Sequence, residues 1–198
     1  MPTTYSSEGI IMRKFCVVLL AASGFCAGTA PAQVTNVPLT KLEAFEAQTG
    51  MVMVKGSGQI GSLTVGALNL TIISKESMNV GTGRKQYGLA IEVGENNLLV
   101  WKKVVDYDEI DSLVNGLNYL SIIDDKVTAL PAFVAGYVTK SGFRVGAFTS
   151  QRRGAIQLFL QDYSANSARI LVTPTQLAQF VSLVEEARKN LDSLRAPR

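Results

Sequence analysis

The hydrophobic pattern changes within residues 89–117, LAIEVGENNLLVWKKVVDYDEIDSLVNGL. Near the start of this stretch, apolar residues occupy every second position, which is typical of a strand with one buried face; these are Leu89, Ile91 and Val93. Toward its end, apolar residues recur three and four positions apart, as on the buried side of an amphipathic helix; these are Ile110, Leu113, Val114 and Leu117. The stretch therefore predicts strands that lead directly into a helix.

The same order of patterns recurs 67 residues later. The alternating positions become Ile156, Leu158 and Leu160, and the helical positions become Leu177, Phe180, Val181 and Val184. Both helix starts carry capping pairs, and Pro174 occupies a first helical position, where its missing N–H costs nothing; the pairs are Asp106 with Glu109 and Thr173 with Gln176. Self-similarity at a fixed offset indicates a tandem repeat.

Further strand patterns precede both helices. Runs rich in apolar and β-branched residues begin at Met51, and a hairpin pattern with Ser141-Gly142 at its turn opens the second half. Before them, Thr40 and Glu43 have capping-box spacing, which predicts a short N-terminal helix. We therefore expect an α+β fold: a tandem repeat of about four antiparallel strands followed by a helix, at about 51–120 and 131–192, related by an approximate twofold axis.

The N-terminal region has the order of a secretory signal peptide. Arg13 and Lys14 precede an apolar run that is too short to span a membrane, and Ala30-Pro31-Ala32 supplies small residues before Gln33. We expect residues 1–32 to comprise upstream residues and this signal, with Met12 as the true start and cleavage after Ala32. Residues 33–198 would then form one domain that is exported to the periplasm or secreted.

The composition of that domain excludes several chemistries. The chain contains no histidine, and both of its cysteines, Cys16 and Cys26, lie in the expected signal. The expected domain therefore lacks the residues needed for a histidine-based catalytic triad, a thiolate nucleophile or a zinc site of Cys or His. Removing Arg13, Lys14 and Glu8 from the 19 basic and 16 acidic residues leaves a net charge of +2. We expect no cofactor, no metal and no strong general attraction to nucleic acid or to anionic membranes.

Gly56, Gly58 and Gly61 have the spacing of a dinucleotide-binding loop. In such a loop the glycines open a helix whose N-terminus binds the pyrophosphate. Here they are followed by SLTVGALNLTI, which is a strand pattern. We therefore interpret the glycines as a glycine-rich hairpin or bulge between the first two strands.

Four carboxylates occur close together at the first helix start: Asp106, Asp108, Glu109 and Asp111. They could hold a hard cation or supply an acid–base pair. The equivalent positions of the second repeat, Thr173, Thr175, Gln176 and Ala178, are uncharged but keep the helix start. This difference favours helix capping over a metal site, and Asp124-Asp125 after the helix is interpreted as a turn.

Two basic turns are the candidate binding sites, and they lie at nearly equivalent places in the two repeats: Arg84 with Lys85, and Arg152 with Arg153. Together they could bind an acidic partner, a sulfated glycan, a lipid headgroup or a nucleic-acid backbone. The alternative is that they keep hairpin tips soluble. Six aromatic residues are candidates for a stacking surface: Trp101, Tyr107, Tyr119, Tyr137, Phe159 and Tyr163.

The doubled order of strands and helix across residues 51–192 resembles the architecture of the Whirly family of single-stranded DNA-binding proteins. The resemblance is limited to element order; since no segment matches the lysine-rich strand motif of that family, no binding residue is transferred. We expect an exported, non-catalytic binding or structural domain of unknown ligand, with a possible acidic or glycan partner in the cell envelope. The alternatives are single-stranded nucleic-acid binding and a glycan-active enzyme with an Asp/Glu pair about 5 to 9.5 Å apart.

Overall fold

The computed structural model describes residues 40–149, 155–163 and 167–196. The first half contains a short helix, four strands and a second helix: α1 (Lys41–Glu46), β1 (Met53–Val65), β2 (Leu68–Asn79), β3 (Lys85–Glu95), β4 (Leu98–Asp106) and α2 (Ile110–Ser121). The second half repeats the order: β5 (Val134–Val138), β6 (Phe143–Thr149), β7 (Ile156–Asp162), β8 (Ile170–Val172) and α3 (Pro174–Arg195). The 3-10 turn Tyr107–Glu109 leads into α2, and a second 3-10 turn, Asp125–Val127, follows it.

Each half forms an antiparallel four-stranded sheet in which the strands pair in chain order. The third strands, β3 and β7, contain the alternating apolar positions that the sequence pattern identified. The predicted α+β fold, with two four-stranded antiparallel sheets that are each followed by a helix, is confirmed. The expected signal peptide and its cleavage site lie outside the described residues and stay predictions.

The two helices are exchanged between the halves. α2 follows the first sheet but packs on β5 and β6, whereas α3 follows the second sheet and packs on β1, β2 and β3. Of the helical positions predicted to be apolar and inward, all are buried except Val114, which is partly exposed. The Phe143 ring joins the halves, with its centroid 6.1 Å from that of Trp101 and 5.8 Å from that of Phe180.

The glycines of the dinucleotide-like spacing lie within β1. The register of β1 against β2 shifts between Gln59 and Gly61, so the predicted bulge is present, while the hairpin turn comes later, at Gly66 with φ of 61°. A Cβ atom on Gly61 would lie 2.6 Å from Cδ2 of Leu183 in α3. Glycine at this position therefore permits the close approach of α3 to β1.

α1 packs on the outer face of the first sheet and is capped at its N-terminus by Asp106. The Asp106 carboxylate accepts hydrogen bonds from the backbone N–H groups of Lys41 at 2.8 Å and Leu42 at 3.0 Å. It makes no capping bond to the turn that it precedes, so the predicted role of Asp106 as a cap of its own helix is wrong. The reason is that its extended backbone directs the chain into a 3-10 turn while the side chain reaches α1. The capping boxes at Thr40 and Thr173 are confirmed.

Among the described residues, no helix covers the outer face of the second sheet in this way. Val134 and Leu171 on this face are 56% and 51% exposed. No helix within residues 40–149, 155–163 and 167–196 is both long enough and apolar enough to cross a membrane.

Candidate functional site

The structure describes only one of the two predicted basic turns. Arg84 is exposed in the β2–β3 turn, and the Nζ of Lys85 forms an ion pair with Glu76 on the neighbouring strand. Arg152 and Arg153 belong to residues 150–154, which lie outside the described part of the chain. The proposal of a shared basic site at these four residues is therefore untested.

The carboxylates at the start of α2 are engaged by separate partners. Asp108 lies 2.6 Å from Nζ of Lys41, and this hydrogen bond lowers the pKa of the Asp108 carboxyl. Asp111 pairs with Arg188 at 3.0 Å. Oε1 of Glu109 accepts a hydrogen bond from the backbone N–H of Lys140 at 2.9 Å, and burial raises the pKa of Glu109. The described side chains contain no group of three or more metal-ligating residues that could hold an ion.

The six candidate aromatic residues do not form one surface. Trp101 belongs to the core, the hydroxyl of Tyr107 donates to Asp192, and that of Tyr137 bonds to Ser112. Phe159 and Tyr163 instead lie beside arginine side chains on the outer face of the second sheet. Predicted aromatic residues and basic groups therefore come together on this face and also at Tyr107, whose ring centroid lies 4.1 Å from the guanidinium carbon of Arg188 and 3.7 Å from that of Arg195.

Strand alternation creates this arrangement. Along β6, Phe143, Val145 and Ala147 point into the core. Arg144 and Phe148 occupy the intervening positions and therefore point outward. The same surface includes Phe159 on β7, Tyr163 just after β7 and Arg169 just before β8. We call this surface the arginine face and define it by five residues: Arg144, Phe148, Phe159, Tyr163 and Arg169.

On the arginine face, guanidinium groups and aromatic rings alternate. The guanidinium carbon of Arg144 lies 5.4 Å from the ring centroid of Phe159 and 5.3 Å from that of Tyr163. That of Arg169 lies 4.6 Å from the Phe159 centroid and 4.9 Å from the Phe148 centroid. All four distances are within the range of cation–π attraction. Each arginine is thus held between two rings.

Two glycines make the arginine face flat. Gly136 on β5 pairs with Gly146 on β6. A Cβ atom on Gly146 would lie 2.5 Å from Cζ of Phe159, and one on Gly136 would lie 2.9 Å from Nε of Arg144. The ring and the guanidinium group therefore lie directly on the glycine backbone, in space that any side chain would occupy.

No carboxylate among the described residues compensates the charge of Arg144 or Arg169. In the described portions of the chain, neither guanidinium group has a carboxylate oxygen within 4.0 Å. The buried Nε of Arg144 has no hydrogen-bond partner there. Arginine presents several N–H donors in a planar fork that matches carboxylate, sulfate and phosphate groups. The arginine face is therefore suited to bind an anionic group.

Arg144 and Arg169 were missed at the level of sequence. Arg144 lies in FRVGAF, residues 143–148, where apolar residues alternate with Arg144, Gly146 and Phe148. That alternation would have placed an arginine, a glycine and a phenylalanine together on the outward side. Arg169 precedes a strand of only three residues, and no pattern in the sequence indicates its contacts.

No protein-family model matches the chain, and no curated protein matches its sequence.

Proposed function

We propose that this protein is an exported, non-catalytic binding domain that recognises an acidic partner through the arginine face. The observation that carries the proposal is the pair of arginines, Arg144 and Arg169, which are held between aromatic rings without a carboxylate partner among the described residues. Prior stacking fixes the side chains, so less conformational entropy is lost when a ligand binds. The exposed Val134, Val138 and Leu171 at the margin add apolar contact area.

The positions of the carboxylates favour binding over catalysis. A glycan-cleaving pair needs two carboxyl groups that face a common substrate. Asp106 and Glu109 are instead buried and bonded to backbone N–H groups, and Asp108 and Asp111 pair with different cations. We therefore do not favour the glycan-active enzyme.

The burial of Phe159 favours an acidic partner over single-stranded nucleic acid. Sequence-tolerant binding of single strands relies on aromatic rings that are open to stacking by bases. The Phe159 ring is 0% exposed, because the arginines and neighbouring strands cover it. The arginine face thus offers N–H donors to a ligand more than it offers aromatic surfaces.

Binding of labelled poly-L-glutamate, followed by fluorescence anisotropy at two salt concentrations, tests the proposal. We expect salt-sensitive binding that the double variant Arg144→Gln/Arg169→Gln weakens by about tenfold or more, since hydrogen bonds to charged groups contribute about 1.5 to 3 kcal/mol each. The matched control is Arg84→Gln/Lys85→Gln, which removes the same charge from the β2–β3 turn. A labelled oligothymidylate serves as the competing ligand.

Equal loss in both double variants would show a general charge effect and would contradict a site on the arginine face. Loss only in the control variant would move the site to the basic turn, and tighter binding of oligothymidylate would favour the nucleic-acid alternative. Export is tested separately: N-terminal sequencing of protein recovered from the envelope or the medium should begin at or near Gln33. A soluble cytoplasmic protein that retains the full leader would contradict it.

A further inference from the structure

The two sheets differ in what covers their outer faces, although their strands are equivalent. On the first sheet, Ala90 of β3 and Val104 of β4 pair with each other and are 0% and 4% exposed. These residues alternate with the inward-pointing Leu89, Ile91 and Val105, so they point outward, on the side where α1 packs. α1 therefore accounts for their burial.

The offset of 67 residues that relates the halves places Gln157 and Leu171 at the positions of Ala90 and Val104. Leu171 is 51% exposed, in contrast to Val104. One groove, of about 280 Å³, lies beside α1 in the first half. Another groove, of about 240 Å³, lies in the second half and is lined by Gln157, Leu171 and Thr173. The second half thus has an open groove where the first half holds a helix.

The chemistry of α1 shows what kind of segment fits such a place. Leu42 and Phe45 are its buried apolar residues. One turn on from Leu42, Glu46 accepts hydrogen bonds from Nζ of Lys75 at 2.9 Å and from the hydroxyl of Ser77 at 2.7 Å. The first sheet therefore binds a helix through two apolar side chains and one carboxylate.

The second sheet offers groups of the same two kinds, although on different strands: the partners of Glu46 lie on β2, whereas Arg169 comes just before β8. Leu171 is open to apolar contact, and the guanidinium group of Arg169 lies 4.9 Å from the Phe148 ring without a carboxylate partner in the described residues. Phe148 pairs with Gln157, which lines the groove. An apolar position and a cation that has no carboxylate partner among the described residues are thus close together on one face.

We propose that the groove beside Leu171 binds a short amphipathic helix of a partner protein, with apolar side chains on Leu171 and a carboxylate on Arg169. The proposal rests on the proposed function, because it names the acidic partner of the arginine face. It adds the conformation of that partner and the end of the sheet at which it binds.

A peptide with the sequence of α1 is the probe, since it carries the required groups. Residues 38–50, PLTKLEAFEAQTG, would be synthesised with blocked ends and titrated into the isotopically labelled full chain, with backbone amide shifts followed by NMR. We expect saturable shifts around Arg169 and Leu171. Leu171→Glu in the protein, or Phe45→Ala in the peptide, should weaken binding by about tenfold or more, as for other apolar anchors at interfaces.

The matched control is Leu98→Glu, which changes another exposed leucine, on β4, and should leave peptide binding unchanged. Absence of saturable shifts, or shifts confined to the strands that contact α1, would overturn the inference. If poly-L-glutamate still binds in an Arg169-dependent way while the peptide does not, the helical partner is wrong and the proposed function stands. If poly-L-glutamate binding does not depend on the arginines, the proposed function itself fails.

Discussion

Asp106 caps a helix from a distant part of the chain: its Oδ1 accepts the backbone N–H of Leu42, 64 residues earlier, at 3.0 Å. Its Oδ2 accepts the N–H of Lys41, and the Asp106 residue is 1% exposed. Since the first N–H groups of a helix have no partner within it, this carboxylate supplies what α1 lacks. It also carries negative charge at the positive end of the helix dipole.

Replacing Asp106 should therefore destabilise the attachment of α1. We expect Asp106→Ala to lower the free energy of unfolding by about 1.5 to 3 kcal/mol, the contribution of hydrogen bonds to a charged group. Asp106→Ser should cost a similar amount, because its shorter side chain cannot span the gap to α1. Urea unfolding measures both. Asp108→Ala is the control, and a loss as large as that of Asp106→Ala would contradict this role of Asp106.

The exchanged helices should be sensitive to truncation of their buried side chains. Phe180→Ala should cost about 3 to 5 kcal/mol and Leu113→Ala about 2 to 5 kcal/mol, as for other large-to-small changes in a core. Both side chains are fully buried. Tyr119→Ala, at an exposed position of α2, should change stability by less than about 0.5 kcal/mol. Similar effects at all three sites would contradict the assigned helix faces.

The ion pair between Lys103 on β4 and Asp162 on β7 joins the two halves. Its Nζ–Oδ1 distance is 2.8 Å, and both side chains are nearly buried. Asp162→Ala should cost about 3 to 5 kcal/mol, because it breaks an ion pair between two nearly buried side chains. Glu92→Ala, which removes the more exposed pair with Lys102, should cost about 0 to 1 kcal/mol. Equal losses in thermal or urea unfolding would count against a special role for the inter-sheet pair.

Glu46 should make stability depend on pH. Burial alone would raise the pKa of its carboxyl, but hydrogen bonds from Ser77 and Lys75 outweigh burial and hold the pKa below its ordinary value of 4.5. A lowered pKa in the folded state stabilises the protein above pH 4.5, and this contribution is lost as the pH falls through the folded-state pKa. Glu46→Gln should therefore be less stable than the parent at pH 7, with the difference shrinking toward pH 3. A difference that is independent of pH would refute this.

Gly146 should be irreplaceable on the arginine face. A Cβ atom there would lie 2.5 Å from Cζ of Phe159 and 2.6 Å from the carbonyl oxygen of Ala135. We expect Gly146→Ala to cost about 1 to 3 kcal/mol, the range for overpacking. It should also weaken poly-L-glutamate binding, since displacement of Phe159 removes the support of both arginines. Gly58→Ala is the control, because nothing lies within 4 Å of its added atom.

The strands and helices could be predicted because each half repeats the same local periodicity. The element that covers the outer face of each sheet could not be predicted in this way. Val104 and Leu171 are equivalent in the repeat, yet α1 covers only Val104. Likewise, Asp106 has the spacing of a local cap, but its partners are more than 60 residues away. The contacts of Arg144 and Arg169 form only when the sheet brings neighbouring strands together. Sequence analysis therefore identified the basic turns, whose residues are adjacent in the chain, and did not identify Arg144.

The exchange of helices has a consequence for how the two repeats depend on each other. Since α2 packs on β5 and β6 and α3 packs on β1, β2 and β3, a repeat expressed alone would pair its strands but leave the inner face of its sheet in water. The helix of the other half covers the inner apolar face of each sheet, so folding of the two halves must be cooperative. A single ancestral repeat could have buried the same surface only as a homodimer whose subunits exchanged their helices.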